Sequence, residues 1–526
     1  MRLATGDSNP KKEPFKPMDK DRSTNAVKSA FDSDEAIAAK GVQRLETGIP
    51  GLDELLGGGI AKGRTMLVSG SSGTGKTVLL NEFLYRGVRK FGQGGIFITF
   101  EERPGDIVRN VAGFGWDYDA LIASEKLAIV DCSQSNIATA RSGEFDWEVL
   151  FKRVEHMVKK TGAKRAAIDS ISTAFGRLSG TAGNYKVREL LFTLMDRLKA
   201  MGVTTMISAE KLEAKDATSR HGFEEFVSDG ALNLAFHHGQ TQVVRTVCVV
   251  KMRGLYFRSG IVEYTIDGQG IMIYPKIPID RSFARTDFDI REKTGVEGLD
   301  RAMNGGIPQG HMMLIAGNTG AGKTMLGLQF LLQGIKEGNN GVFIALEEPV
   351  EQVRKTAQAH GWGIEAAEKQ GLLRFVRCEL LDISADRLLY HILKAVRETG
   401  AKRVVIDSVS SLESATMNRD KVREFLIQIS TYFKTRGTTC YMNYLSAKTF
   451  GASKGQLLGN LTTNEMRLSS IVDGIILLRY VERNQQIMRL MNIFKLRGSD
   501  HERAIFRYDI ATGGIQFGSR YGKYQG

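Results

Sequence analysis

Cysteine is scarce in this chain, and long apolar runs are missing altogether. Cys132, Cys248, Cys378 and Cys440 are its four cysteines, widely scattered and without a C-x-x-C pair. That excludes a disulfide framework or a thiolate metal site as the organising device, and the thiols read as small buried hydrophobes of a reducing compartment. No apolar run reaches the roughly 20 residues that span a bilayer. The N-terminal stretch MRLATGDSNPKKEPFKPMDK holds no hydrophobic segment of the secretory kind, so a cytoplasmic location is expected. Residues 1–38 are polar, mixed in charge and carry Pro10, Pro14 and Pro17, and they read as a flexible tail. Long basic runs are also lacking. The formal net charge of +13 permits nucleic-acid binding, yet Lys and Arg are spread along the chain. No aromatic-and-basic stretch resembles a single-strand platform, so nucleic acid is not the expected partner.

What remains is a globular composition, 42% hydrophobic and 25% charged over 526 residues, with room for two sizeable cores. The chain also repeats itself. TGIPGLDELLGGGIAKGRTMLVSGSSGTGKT runs from Thr47 to Thr77, and TGVEGLDRAMNGGIPQGHMMLIAGNTGAGKT from Thr294 to Thr324. Each copy ends in a G-x-x-x-x-G-K-[ST] phosphate loop that follows an apolar strand and opens an apolar helix. The first loop is Gly70, Ser71, Ser72, Gly73, Thr74, Gly75, Lys76 and Thr77; the second is Gly317, Asn318, Thr319, Gly320, Ala321, Gly322, Lys323 and Thr324. Further pairs follow in the same order: IFITFEE and VFIALEE, TGAKRAAIDS and TGAKRVVIDS, KMRG and KLRG. The alternation of strand, loop and helix predicts an α/β chain of two domains, each a mostly parallel sheet flanked by helices. The first is placed at 39–275 and the second at 292–526, joined by a linker over 276–291.

Each motif has a chemical reading. Backbone N–H groups of a phosphate loop curl around a β-phosphate, and the helix N-terminus adds its positive dipole end. Lys76 and Lys323 can reach the β- and γ-phosphates, while Thr77 and Thr324 supply hydroxyls to Mg²⁺. Asp169 and Asp407 end hydrophobic strands, where an aspartate meets the Mg²⁺ shell. Glu101 and Glu102, and likewise Glu347 and Glu348, are read as strand-end pairs whose members point to opposite faces. Glu101 and Glu347 are assigned as bases, with Glu102 and Glu348 in support. Lys251 with Arg253, and Lys495 with Arg497, are read as cations sharing one strand face, placed to reach one phosphate. ATP and Mg²⁺ are the expected cofactors.

Together these stretches, with HGFEEFVSDG, VDGIILLRYVE and NIFKLRGS, resemble the KaiC family of RecA-like ATPases, whose founding members are circadian clock components. The resemblance covers nearly everything after the tail. It implies tandem RecA-like domains, a homohexamer of two stacked rings, and ATP held between subunits. Lys251, Arg253, Lys495 and Arg497 would then sense a neighbour's ATP. It also implies a self-phosphorylating second domain, with Ser469 and Ser470 at the acceptor positions. In the first half Glu225 and Phe226 stand there, which separates an ATPase half from a kinase-like half. The founding members continue into a longer C-terminal tail that binds the activator KaiA. Here the given sequence ends with GGIQFGSRYGKYQG, so a KaiA-type activator is not expected. A KaiB-like partner and pairing of hexamers stay open. Two rival classes also stay open: a DNA-dependent motor, and a scaffold that binds ATP without turnover.

Overall fold

The computed structural model describes residues 41–132, 147–211, 228–238, 243–277, 289–377, 384–415, 419–446, 468–483 and 485–522. The tail, Cys378, Glu225 and Phe226 lie outside the described residues. The chain divides between Ile273 and Tyr274 into two compact units.

In the first unit β1 (Arg44–Leu45) and β2 (Ile60–Ala61) form a short antiparallel ribbon. The main sheet holds β3 (Thr65–Gly70), β4 (Gly94–Thr99), β5 (Leu127–Asp131), β6 (Ala163–Asp169), β7 (Thr204–Glu210), β8 (Gly230–His238), β9 (Val243–Met252), β10 (Ile261–Asp267) and β11 (Gly270–Ile273). Their order is β11-β10-β9-β8-β3-β7-β6-β4-β5. The six strands from β8 to β5 are parallel; β9, β10 and β11 extend the sheet antiparallel.

The second unit repeats this plan. Its ribbon is β12 (Arg291–Glu292) with β13 (Ile307–Pro308). Its sheet holds β14 (Met312–Gly317), β15 (Gly341–Ala345), β16 (Leu373–Arg377), β17 (Arg403–Asp407), β18 (Thr439–Leu445), β19 (Gly474–Arg483), β20 (Gln486–Leu496), β21 (Ile505–Ala511) and β22 (Gly514–Arg520), in the order β16-β15-β17-β18-β14-β19-β20-β21-β22. The expected mostly parallel, helix-flanked sheet is found in both units.

The central strands are apolar on both faces because helices cover both faces. Met66 and Val68 of β3 join one core with the helix Lys76–Phe91, while Leu67 joins another with the helix Trp147–Thr161. The second unit splits in the same way around Met313 and Leu314.

Two devices fix the helix that follows each loop. Gly75 and Gly322 start these helices at φ 89° and 90°. A Cβ at Gly75 would sit 2.4 Å from Ile266 Cδ1, and one at Gly322 2.9 Å from Ile510 Cδ1, so backbone and neighbour both demand glycine. At its other end the helix is tied to the sheet by a fully buried arginine. Arg165 of β6 donates to the carbonyls of Glu46, Thr47 and Phe83 and to Gln93 Oε1, with its guanidinium over the Phe83 ring. Arg403 of β17 does the same work through the carbonyls of Lys293 and Phe330 and the carboxylates of Glu292 and Glu337.

The space for each arginine is a missing side chain. A Cβ at Gly87 would lie 2.4 Å from Arg165 Cδ, and one at Gly334 2.3 Å from Arg403 Cδ. Ala is the better helix former by about 1 kcal/mol at an unencumbered site. Gly87→Ala is nevertheless expected to lower stability, by roughly 1–3 kcal/mol, because overpacking outweighs propensity. A fall in the urea unfolding midpoint of the full chain would bear this out; a rise would show that Arg165 moves aside freely.

Candidate nucleotide sites

Each loop lies at the C-terminal end of a central parallel strand, with the acidic strand ends beside it. Lys76 Nζ folds over its own loop and donates to the carbonyls of Gly70 and Ser71, both at 2.9 Å. Lys323 Nζ does so with Gly317 and Asn318, both at 3.0 Å. Burial pushes both ammonium groups below their ordinary range. Glu210, Asp169 and Glu101 oppose that at Lys76, and Asp407 and Glu347 oppose it at Lys323.

Thr77 Oγ1 donates to Asp169 Oδ2 at 2.7 Å, and Thr324 Oγ1 to Asp407 Oδ2 at 2.6 Å. Both aspartates are buried, which raises their carboxyl pKa; hydrogen bonds from Ser208 and Thr77 at Asp169, and from Thr324 at Asp407, pull the other way. A hydroxyl beside a carboxylate is an all-oxygen pair of the kind Mg²⁺ takes when phosphate oxygens and waters complete its shell. The residues therefore fit that ion.

The glutamate pairs differ from expectation in where they sit. β4 ends at Thr99 and β15 at Ala345, so all four glutamates lie past the strands, on bends. Strand alternation does not separate their side chains; local hydrogen bonds do. Thr99 Oγ1 accepts from the backbone N–H of Glu101 and of Glu102 and turns the chain. Glu101 then accepts from Ser170 Oγ at 2.9 Å and from Thr173 Oγ1, while Glu102 accepts from Asn110 Nδ2 at 2.9 Å. Glu347 accepts from Ser408 Oγ at 2.7 Å. Ser170 and Ser408 directly follow Asp169 and Asp407, so each of Glu101 and Glu347 is tied to the strand that carries the buried aspartate. Burial raises the carboxyl pKa of Glu102 and of Glu348.

The Lys-x-Arg motifs also depart from a plain strand. β9 ends at Met252 and β20 at Leu496, leaving Arg253 and Arg497 just beyond. A register shift opposite Ala231/Leu232, and again opposite Ile475/Ile476, interrupts the alternation next to each lysine. Lys251 Nζ donates to the Ser228 carbonyl at 2.8 Å. Lys495 Nζ donates to the carbonyls of Ser469 at 2.5 Å and Val472 at 2.8 Å. Arg497 lies 3.5 Å from buried Asp473, which Lys434 also contacts at 2.8 Å.

Register places these cations far from the loop of their own unit. Gly70 is paired with Leu234, whereas Lys251 is paired with Ala231. Gly317 is paired with Leu478, whereas Gly474 at the start of β19 is paired with Met313. At about 3.3 Å per residue the separation along the sheet is roughly 10–13 Å. Ser469, half-buried, and Ser470, exposed, precede β19 and so belong to the far end too.

Some loop-shaping residues have no motif of their own. The Tyr264 hydroxyl donates to the Thr74 carbonyl, and that of Tyr508 to the Ala321 carbonyl at 2.6 Å. Phe236 stacks under Arg245 with the guanidinium 5.0 Å from the ring centre, and Tyr480 under Arg489 at 5.7 Å. All occupy matching places in the two halves, so a full alignment of the repeat with itself is the signal that finds them.

Similarity to known proteins bears on the family. The model of the KaiC ATPase family matches residues 45–277 and again 292–521. The circadian clock oscillator protein KaiC of a Picosynechococcus species is 35% identical over 488 residues, 93% of this chain and 92% of that protein. The protein of the same name from Parathermosynechococcus lividus is 34% identical over 515 residues, 98% and 92% of the two chains. The circadian clock oscillator protein KaiC 1 of a Synechocystis species is 35% identical over 489 residues, 93% and 92%.

Proposed function

The chain belongs to the KaiC family of ATPases, and from that premise we propose that it is an Mg-ATP-hydrolysing homohexamer whose second half phosphorylates its own serines, acting as a timing or signalling component. The observation that carries the proposal is the separation just described. A complete loop with its acids stands at one end of each sheet, while the Lys-x-Arg cations and, in the second half, two serine hydroxyls stand at the other. Such an arrangement is completed by a neighbouring copy, whose loop faces these cations.

In the first half, Glu101 takes a proton from water as its oxygen attacks the γ-phosphorus. The bond from that phosphorus to the β–γ bridging oxygen breaks, and ADP departs with the bridging oxygen. In the second half, Glu347 takes the proton from Ser469 or Ser470 of the neighbour, so the new ester is phosphoserine. Lys76 and Lys323 leave their loop carbonyls for phosphate oxygens, and Arg253 and Arg497 meet the charge of transfer from across the subunit boundary. Thr77 with Asp169, and Thr324 with Asp407, would hold Mg²⁺, which when bound neutralises the β- and γ-oxygens.

The test is phosphosite mass spectrometry on purified protein incubated with Mg-ATP and no partner. Phosphate on Ser469 or Ser470 is expected, and none in Lys323→Ala. Steady ATP turnover without phosphoserine would remove the autokinase and leave an ATPase.

A further inference from the structure

The two halves match closely around their loops, so a difference in charge there is informative. Gly70, the last residue of β3, lies between Glu210 of β7 and Leu234 of β8; Ala235 comes next. Gly317, the last residue of β14, lies between Leu445 of β18 and Leu478 of β19; Arg479 comes next. Going from first site to second, an acid becomes leucine and an alanine becomes arginine. Lys211, which follows Glu210, becomes Ser446, so the two strand ends beside the second loop are together one unit charge more positive, and the added cation is the arginine.

Arg479 is not a surface cation. It is only 6% exposed, on a strand hydrogen-bonded to the loop strand, one residue past the pair that contains Gly317. Lys323 donates to the Gly317 carbonyl at 3.0 Å, so Lys323 and Arg479 flank the same strand end, and the matching position in the first half is Ala235. Two like charges held this close disfavour one another until an anion joins them. The loop beside them is an anion cradle by construction.

We infer that Arg479 is a further nucleotide-binding residue of the second site, a guanidinium from the same chain that binds the phosphate groups of ATP and of the ADP that transfer leaves behind. The inference rests on the reading of the loops as nucleoside-triphosphate sites. Its consequence is a functional asymmetry. The second site retains its nucleotide more tightly than the first, which suits a site whose ATP must wait for a protein hydroxyl rather than for water. Guanidinium geometry also allows two parallel hydrogen bonds to one phosphate, which an ammonium cannot make.

The experiment uses the full chain with Lys76→Ala, so that a fluorescent ADP analogue titrates the second site. Adding Arg479→Gln is expected to weaken binding roughly tenfold, as for the loss of one charge-assisted contact, and to make affinity less sensitive to salt. Arg479→Lys should recover part of the loss. In a chain with Lys323→Ala, which reports the first site, Arg479→Gln should leave affinity unchanged, whereas Ala235→Arg should tighten it. This last arm stands even where Arg479→Gln fails to fold, and an Ala235→Arg chain that binds no tighter counts against the inference. Unchanged second-site affinity in a folded Arg479→Gln chain would overturn it and leave Arg479 a packing residue. If the parent with Arg479 intact bound no analogue at either site, the nucleotide reading itself would fall, and the inference with it.

Discussion

Glu347→Gln is expected to slow phosphate incorporation at Ser469 and Ser470 by roughly a hundredfold or more, the contribution typical of a positioned general base. Glutamine keeps the size of the side chain and can still accept from Ser408, which lies 2.7 Å from the carboxylate. It cannot take a proton. ATP binding should therefore survive while transfer fails. Glu101→Gln should do the same to hydrolysis in the first half and spare phosphoserine. The two variants are compared by single-turnover release of phosphate and by phosphoserine content. Undiminished phosphoserine in Glu347→Gln would pass the role of base to Glu348, whose carboxyl is raised by burial and by the neighbouring Asp407 and Glu347.

The second large effect is on stability. Arg403→Ala is expected to destabilise the second unit by about 3–5 kcal/mol, because removing one partner of a buried ion pair leaves the other uncompensated. Glu292 is itself buried and lies 2.7 Å from the guanidinium. Arg165→Ala should cost less, since Arg165 bonds three carbonyls and a glutamine side chain and strands no carboxylate bonded to it. Differential scanning calorimetry of the full chain would separate the outcomes: an early transition in Arg403→Ala, a smaller shift in Arg165→Ala. Equal shifts would mean that carbonyl contacts, not the ion pair, dominate the anchor.

Much of the fold was legible because it rests on patterns the sequence displays directly. A two-sided apolar strand, a glycine-rich loop and a helix follow one another in chain order, and the duplication states the pattern twice. The buried aspartates were legible for the same reason: Asp169 and Asp407 close apolar strands. The glutamate pairs were found but misplaced. In the first half the Thr99 hydroxyl competes for the backbone N–H groups of Glu101 and Glu102, which is invisible to periodicity; in the second half Ala345 stands there and the strand ends at the matching place without it. The register shift beside Lys251 and Lys495 depends on pairing between strands, which no single segment encodes. Arg165 and Arg403 look like surface residues in the run G-A-K-R. Their burial becomes readable only when Gly87 and Gly334 are seen as the gaps that admit them.

Because the loop and the Lys-x-Arg motif stand at opposite ends of each sheet, the unit has a direction, like a plug with its socket on the far side. Copies that complete one another's sites must join head to tail, and only a closed ring leaves no site half built. A copy with a dead loop would then still lend its arginine and its serines to the next. Mixed rings of Lys323→Ala and Ser469→Ala/Ser470→Ala chains would carry phosphate on the very copies that cannot bind ATP in that half. Defects of the two kinds would complement each other, and the activity of a diluted preparation would fall more steeply than its concentration.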